Sequence, residues 1–346
     1  LAMILRPKPS LSPPAALPGT ALAAPGATIP TWLRSAIPAA QSLAAHSLED
    51  TALAAGAAIG ALDVVVRRQE RWAGAWRQRL ALSAAATTAK QARRMEDEAA
   101  LRDAVLLARP SDIVSGSTTL GPAGLLLLAW HRLATRAPED LLMQKSLGAV
   151  VEEFGHALDD EALGNLADEL RRLGAGGMVE MVVGAFTVAE RYLFGRAVGA
   201  WFADALLAQR LGWPRAVPLL GAELNAAGPA RPRRSGTAIA ASVKDNSARA
   251  KNLLAAQARA ALRAVDLSAE LGRRADRLLA VAPKLRAKSA DTVVDRLLNE
   301  DAFAASRGDK KTGMSDRGLR RLFDRLVELG AVRELSGRTT FRIYGL

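Results

Sequence analysis

The chain of 346 residues has no cysteine, only three histidines, and few aromatic side chains. Without cysteine there is no disulfide framework, no thiolate zinc site and no thiol nucleophile, and a reducing compartment is compatible. Three histidines are too few for a rich metal centre. No stretch reaches the ~18 or more uncharged apolar residues of a membrane span. The best candidates, near Leu125–Trp130, Met178–Phe194 and Ala197–Leu211, are short or carry Glu180, Glu190, Asp204 and Arg210. A secretory signal is disfavoured because Pro13, Pro14, Pro18 and Pro25 interrupt the segment after Arg6 and Lys8. The expectation is a cytoplasmic protein with no membrane contact.

Excess charge is missing from most of the chain. Residues 1–230 carry 22 basic and 22 acidic side chains, whereas residues 231–346 carry 25 and 13, so the whole formal charge of +12 lies in the last third. Of the 47 basic residues 38 are arginine, in a chain rich in Ala and Leu, a bias that a GC-rich genome produces by itself. The position of the charge is therefore better evidence than its total.

Half of the residues are apolar and about a quarter charged, the composition of a globular protein of two or three units. Eight of the 16 prolines precede Ala39, and residues 1–36 read as a disordered Pro/Ala-rich tail. From 37 to 226 apolar residues recur at helical spacing with breaks at Gly or Pro, which predicts an α-helical domain. Helices are placed near 42–68, 71–108, 121–136, 139–156, 159–173, 177–194, 196–211 and 215–226. Within the longest, Trp72, Trp76 and Leu80 at i, i+4, i+8 set two large rings on one stripe. Residues 227–236, with Gly, Pro and three Arg, read as a linker, whose Arg231, Arg233 and Arg234 are a weak candidate for a minor-groove arm. Residues 237–288 form a basic helical segment, with helices at 237–265 and 267–281.

Residues 289–346 are where the period changes. Ser289 suits the N-cap of a helix over 290–299, and Ser315 the cap of a helix to Gly330 that keeps Leu319, Leu322, Phe323, Leu326 and Leu329 on one face. Val332–Leu335, a turn at Ser336, Gly337 and Arg338, and Thr339–Tyr344 then read as a hairpin. Helix, helix and Gly-turned hairpin is the order of a winged helix-turn-helix. The overall expectation is thus a mostly α fold that ends in a winged helix with a short β-hairpin.

The polar face of the helix over 315–330 holds Arg317, Arg320, Arg321, Asp324, Arg325 and Glu328. Its first two turns are almost purely cationic, and in helix-turn-helix modules that end of the second helix enters the major groove. Arg338 at the hairpin tip is placed to meet the backbone or minor groove, with Lys310, Lys311, Ser315 and Arg342 completing the candidate DNA-binding set. A competing reading makes part of this face a salt-bridged surface through Arg320 with Asp324 and Arg325 with Glu328.

Other candidates are weaker. Glu153 and His156 make one E-x-x-H, half of a di-iron set, but neither His46 nor His131 supplies the second. Glu96, Asp97, Glu98 and Asp103 alternate with Arg93, Arg94 and Arg102 at helical spacings, which favours ion pairs over acid–base work. No catalytic residue, cofactor or metal is assigned, and an enzymatic reading is disfavoured.

Two resemblances add to this. The segments Trp72–Leu82, Glu96–Asp103, Ala208–Leu219 and Arg274–Lys288 resemble an uncharacterised bacterial family known as domain of unknown function 1403. That resemblance covers nearly everything after the tail and implies no activity. The run Leu326–Arg338 followed by Phe341, Arg342, Ile343 and Tyr344 is similar to the winged-helix ends of some Fic-type proteins and bacterial regulators. The Fic motif, His-Pro-Phe with an acidic residue and a Gly-rich anion loop, is absent, since His46, His131 and His156 precede Ser47, Arg132 and Ala157. The reading is a DNA-binding protein, a transcriptional regulator of double-stranded DNA, whose neutral helical domain supplies homodimerisation or partner contacts. Its alternative is a non-enzymatic scaffold whose winged helix docks an acidic protein.

Overall fold

The computed structural model describes residues 29–36, 46–106, 120–224, 238–285, 289–304, 313–338 and 342–346. Most of the expected tail, the loop after Pro110, the 227–236 linker, and Lys310 and Lys311 lie outside the described residues.

The protein is mostly α. The helical elements are α1 (Thr31–Ala36), α2 (Leu48–Arg68), α3 (Ala73–Gln91), α4 (Glu98–Leu106), α5 (Gly121–Thr135), α6 (Pro138–Leu141) and α7 (Gln144–Glu153). They continue with α8 (Asp160–Ala175), α9 (Met178–Arg191), α10 (Gly195–Arg210), a 3-10 turn at Leu220–Glu223, and α11 (Ala238–Val281). The C-terminal module follows as α12 (Ala290–Asn299), β1 (Phe303–Ala304), α13 (Asp316–Glu328), β2 (Arg333–Glu334) and β3 (Ile343–Gly345). Side-chain caps start three of the helices: Ser47, Asp159 and Ser315 accept hydrogen bonds from the backbone N–H of Asp50, Ala162 and Gly318.

Several expected elements are corrected, among them the helix expected at 139–156, which is divided between α6 and α7 at Leu142 and Met143. The single helix over 71–108 is broken into α3 and α4, because Arg93 takes a left-handed conformation at φ 57° and the Asp97 side chain caps the restart by accepting from Ala100 N–H. No Gly or Pro marks that break, so periodicity ran straight through it. The helix expected at 215–226 is only the 3-10 turn, whose Leu219 and Leu220 N–H groups bond the buried Asp204 carboxyl of α10 rather than a preceding turn. The two helices expected at 237–265 and 267–281 are one element of 44 residues, about 66 Å long. No Gly or Pro lies between Val265 and Leu267, and the helix runs through Asp266, whose carboxylate lies 2.7 Å from Arg34 of α1. Ser289 precedes α12 with φ 70° and makes no side-chain cap bond.

α2 lies along α11 in the most extensive helix pair, burying Ala54, Ala55, Ala58, Ile59 and Leu62 of α2 and Leu253, Leu254, Ala258 and Ala261 of α11. Small residues on both faces permit close approach of the two axes. Three buried indoles pin the layers: Trp76 Nε1 donates to the Ala264 carbonyl of α11, Trp130 Nε1 to Thr88 Oγ1, and Trp201 Nε1 to the Ala129 carbonyl. Trp76 and Leu80 take the buried stripe as expected, while Trp72 only precedes α3 and is half-buried.

Candidate nucleic-acid interface

The C-terminal module is built on one small apolar face. Antiparallel strands in the order β1-β3-β2 pair Phe303 with Tyr344, Ala304 with Ile343, Arg333 with Gly345 and Glu334 with Tyr344. The two-residue strand β1 was not expected, because Phe303 and Ala304 are too short a run to show alternation. The Phe323 ring of α13 stacks on Tyr344 with centroids 4.3 Å apart and lies 5.4 Å from Phe303, whose other neighbour is the Arg296 guanidinium at 4.2 Å. Val293, Val294, Leu297 and Leu298 of α12 and Leu319, Leu322 and Leu326 of α13 complete the core.

Burying that stripe turns the other side of α13 outward. Arg317, Arg320, Arg321, Asp324 and Arg325 are exposed. The expected pair Arg325 with Glu328 forms at 2.6 Å, but Arg320 with Asp324 does not: the Asp324 carboxylate lies 3.9 Å from Arg342 instead. Among the described residues Arg317, Arg320 and Arg321 make no ion pair. Ser315 is occupied as the helix cap. Arg342 lies between Asp324 and Glu334, and its Nε donates to the Arg338 carbonyl at 3.3 Å. The guanidinium of Arg338 pairs with Asp103 of α4, so this residue of the β2–β3 connection is held against the helical body.

The module joins the body through a buried ionic seam that no local pattern in the sequence announces. Asp301, with 6% of its side chain exposed, is clasped by Arg79 of α3 and by Arg102 of α4, whose Nε lies 2.6 Å away. Burial by itself would raise the Asp301 carboxyl, yet the two guanidinium groups hold it below its ordinary value. Gln78 closes the seam, donating to the Asn299 carbonyl at 3.1 Å and accepting from Asp301 N–H at 3.2 Å. Arg274 of α11 donates to the Leu346 main-chain oxygen at 2.9 Å. Gly74 makes the closest approach possible, because a Cβ there would sit 2.6 Å from the Asn299 carbonyl oxygen. No local signal in the sequence links Asp301 to arginines some 200 residues earlier; only the tertiary fold does.

The other candidates are occupied. Glu153 is bound by Arg132, and His156 Nε2 faces the Phe194 carbonyl at 3.1 Å. Among the described residues no group of three or more metal-ligating side chains is gathered. The interleaved charges near α4 pair as expected, Arg94 with Glu96 and Arg102, at 3.8 Å, with Glu98. His131, pushed down to about 4 by burial, lines a cavity of about 230 Å³ with Gln78, Arg102, Leu127 and Asp301. Asp204 is the one fully buried carboxyl among the described residues without a guanidinium beside it, and burial pushes it up to about 8.

Among the described residues, no helix is long and apolar enough to cross a membrane. No curated protein matches the sequence. A family model matches residues 23–346, and the chain accordingly belongs to the family described as Protein of unknown function (DUF1403).

Proposed function

We propose that residues 289–346 form a winged helix that binds double-stranded DNA through α13, and that the protein is a transcriptional regulator of the cytoplasm. The observation that carries this reading is the trio Arg317, Arg320 and Arg321. They are exposed on one face of a helix about 20 Å long, without an ion pair among the described residues, while the opposite face is fixed in the core. The major groove is about 12 Å wide and admits one helix, and guanidinium groups bond guanine edges or phosphates there. The order helix, strand, helix, hairpin with strand order β1-β3-β2 supports the same reading. Arg325 is partly neutralised by Glu328 and contributes less, and Arg338 has to leave Asp103 before it can reach a phosphate.

A second reading is docking of an acidic protein on the same face, with Val327, 40% exposed, at the edge of the arginine surface; Leu329, expected on the apolar stripe, is the C-cap and 36% exposed. Selection of bound genomic fragments by the full chain separates the two. Enrichment of a defined site, lost when Arg317, Arg320 and Arg321 are all changed to Ala, is the expected result. Recovery of random fragments by both proteins would sink the DNA reading and leave the protein-docking one.

A further inference from the structure

One helix face of the body has no partner among the described residues. On α2, Leu53 is 69% and Val64 45% exposed, and Gly56 and Gly60 between them are exposed with no atom within 4 Å of a Cβ built on either. The opposite face of the same helix is buried against α11. From Leu53 to Val64 the outer face carries no charge except at its flank, where Asp63 is bonded to Arg67 and to the Trp213 indole.

The order of residues along this face is symmetric about its centre, between Ala58 and Ile59. Leu53 and Val64 are equidistant from that point, as are Gly56 and Ala61, Ala57 and Gly60, Asp50 and Arg67, and Glu49 and Arg68. At 100° per residue all of these fall on one side of the helix. Bulky apolar residues thus mirror each other, small ones mirror each other, and acidic residues at one end mirror basic ones at the other. A surface with that symmetry is complementary to its own copy run in the opposite direction.

We propose that α2 is the interface of a homodimer in which two copies of this helix pack antiparallel across a two-fold axis at the level of Ala58 and Ile59. Leu53 of each copy then packs beside Val64 of the other, and the glycines let the axes approach to the short end of the usual 8–10 Å range. Glu49 and Asp50 meet Arg68 and Arg67 of the second copy, and the helix dipoles oppose. A parallel pair would instead stack acid on acid and Arg on Arg. Arg67 already bonds Asp63 and the Leu211 carbonyl, Arg68 is also engaged within its own chain, and Asp50 accepts from Ser47 Oγ, so the end charges set direction more than strength, and the apolar centre supplies the affinity. The inference uses no residue of the C-terminal module and stands apart from the DNA reading.

The absence of cysteine makes the test clean. In full-length protein, Leu53→Cys and Val64→Cys each add one thiol. Mixed and oxidised, the two variants should form a covalent dimer. Neither should do so alone, because in antiparallel register like positions sit about 16 Å apart along the axis, beyond the ~7 Å limit of a disulfide. Sedimentation from about 1 to about 100 µM should show a monomer–dimer equilibrium for the parent chain. Gly60→Leu, placed in open space, should keep the helical circular dichroism and, at concentrations where the parent is monomeric, a melting point no lower than the parent's, while weakening dimerisation at least about tenfold. Glu49→Arg should weaken it several-fold, and Glu49→Arg with Arg68→Glu should restore it. A monomer throughout, cross-linking of Leu53→Cys with itself, or Gly60→Leu without effect on association would each overturn the proposal.

Discussion

The arginines of the helical body and those of α13 are the same residue type put to opposite uses. In the body Arg79 and Arg102 are buried around Asp301, Arg132 holds Glu153, and Arg259 and Arg263 of α11 converge on Glu223. Arg249 likewise bonds Glu190 at 2.8 Å. Part of the positive charge after residue 230, that of Arg249, Arg259 and Arg263 of α11, therefore meets acids from the neutral first 230 residues. On α13 Arg317, Arg320 and Arg321 have no such counter-charge among the described residues. Net charge by segment does not separate the two groups; pairing does. A paired, half-buried guanidinium cements the fold, whereas an unpaired exposed one adds nothing to it and remains available to a ligand.

The sharpest way to break this comparison is at Asp301. Asp301→Ala leaves Arg79 and Arg102 facing each other without an anion in a buried seam, and thermal or denaturant unfolding should show a loss of about 3–5 kcal/mol. A loss below about 1 kcal/mol would place the seam among ordinary surface pairs. Asp204 supplies the complementary case, a buried carboxyl with two backbone donors but no guanidinium. Its folded pKa of about 8 lies above the ordinary carboxylate value, so the folded chain holds a proton that the unfolded chain has released. Its contribution to stability should fall as pH rises from about 4 to about 8, by an amount on the order of a few kcal/mol, and level off above. Asp204→Asn should flatten that slope, seen in urea midpoints across the pH range; an unchanged slope would contradict the assignment.

Smaller effects sharpen the other side. Replacing Arg317, Arg320 and Arg321 by Ala should change stability by no more than about 0.5 kcal/mol, because these side chains hold nothing in the fold. A larger loss would show that the exposed face is structural. Asp103→Asn removes the largely buried partner of the half-exposed Arg338 at a cost of about 1 kcal/mol. Released from that pair, Arg338 should strengthen DNA binding slightly in an electrophoretic titration; weaker binding would mean that the contact with α4 positions the hairpin for DNA.

The sequence made the long-period features legible and hid the long-range ones. The 3.6-residue stripe and Ser315 cap located α13 within two residues, and the two-residue spacing of Phe341 and Ile343 signalled a terminal strand, of which Ile343–Gly345 lies among the described residues. Breaks made by backbone conformation rather than by residue type, as at Arg93, left no mark. Nor did the capture of Leu219 and Leu220 by Asp204, a contact between separate elements that converts expected helix into a 3-10 turn. The arginine face was visible as a pattern, yet whether each arginine was paired depended on Asp103, Asp324 and Glu334, which only the fold brings near Arg338 and Arg342.

The central claim, that the α13 arginines are held for a polyanionic ligand, is tested most directly by the salt dependence of DNA binding. Fluorescence anisotropy of a labelled duplex with the full chain should give a log–log slope steeper than that of the triple Ala variant by about 2 to 3, at roughly 0.9 for each phosphate neutralised. Equal slopes for the two proteins would contradict it.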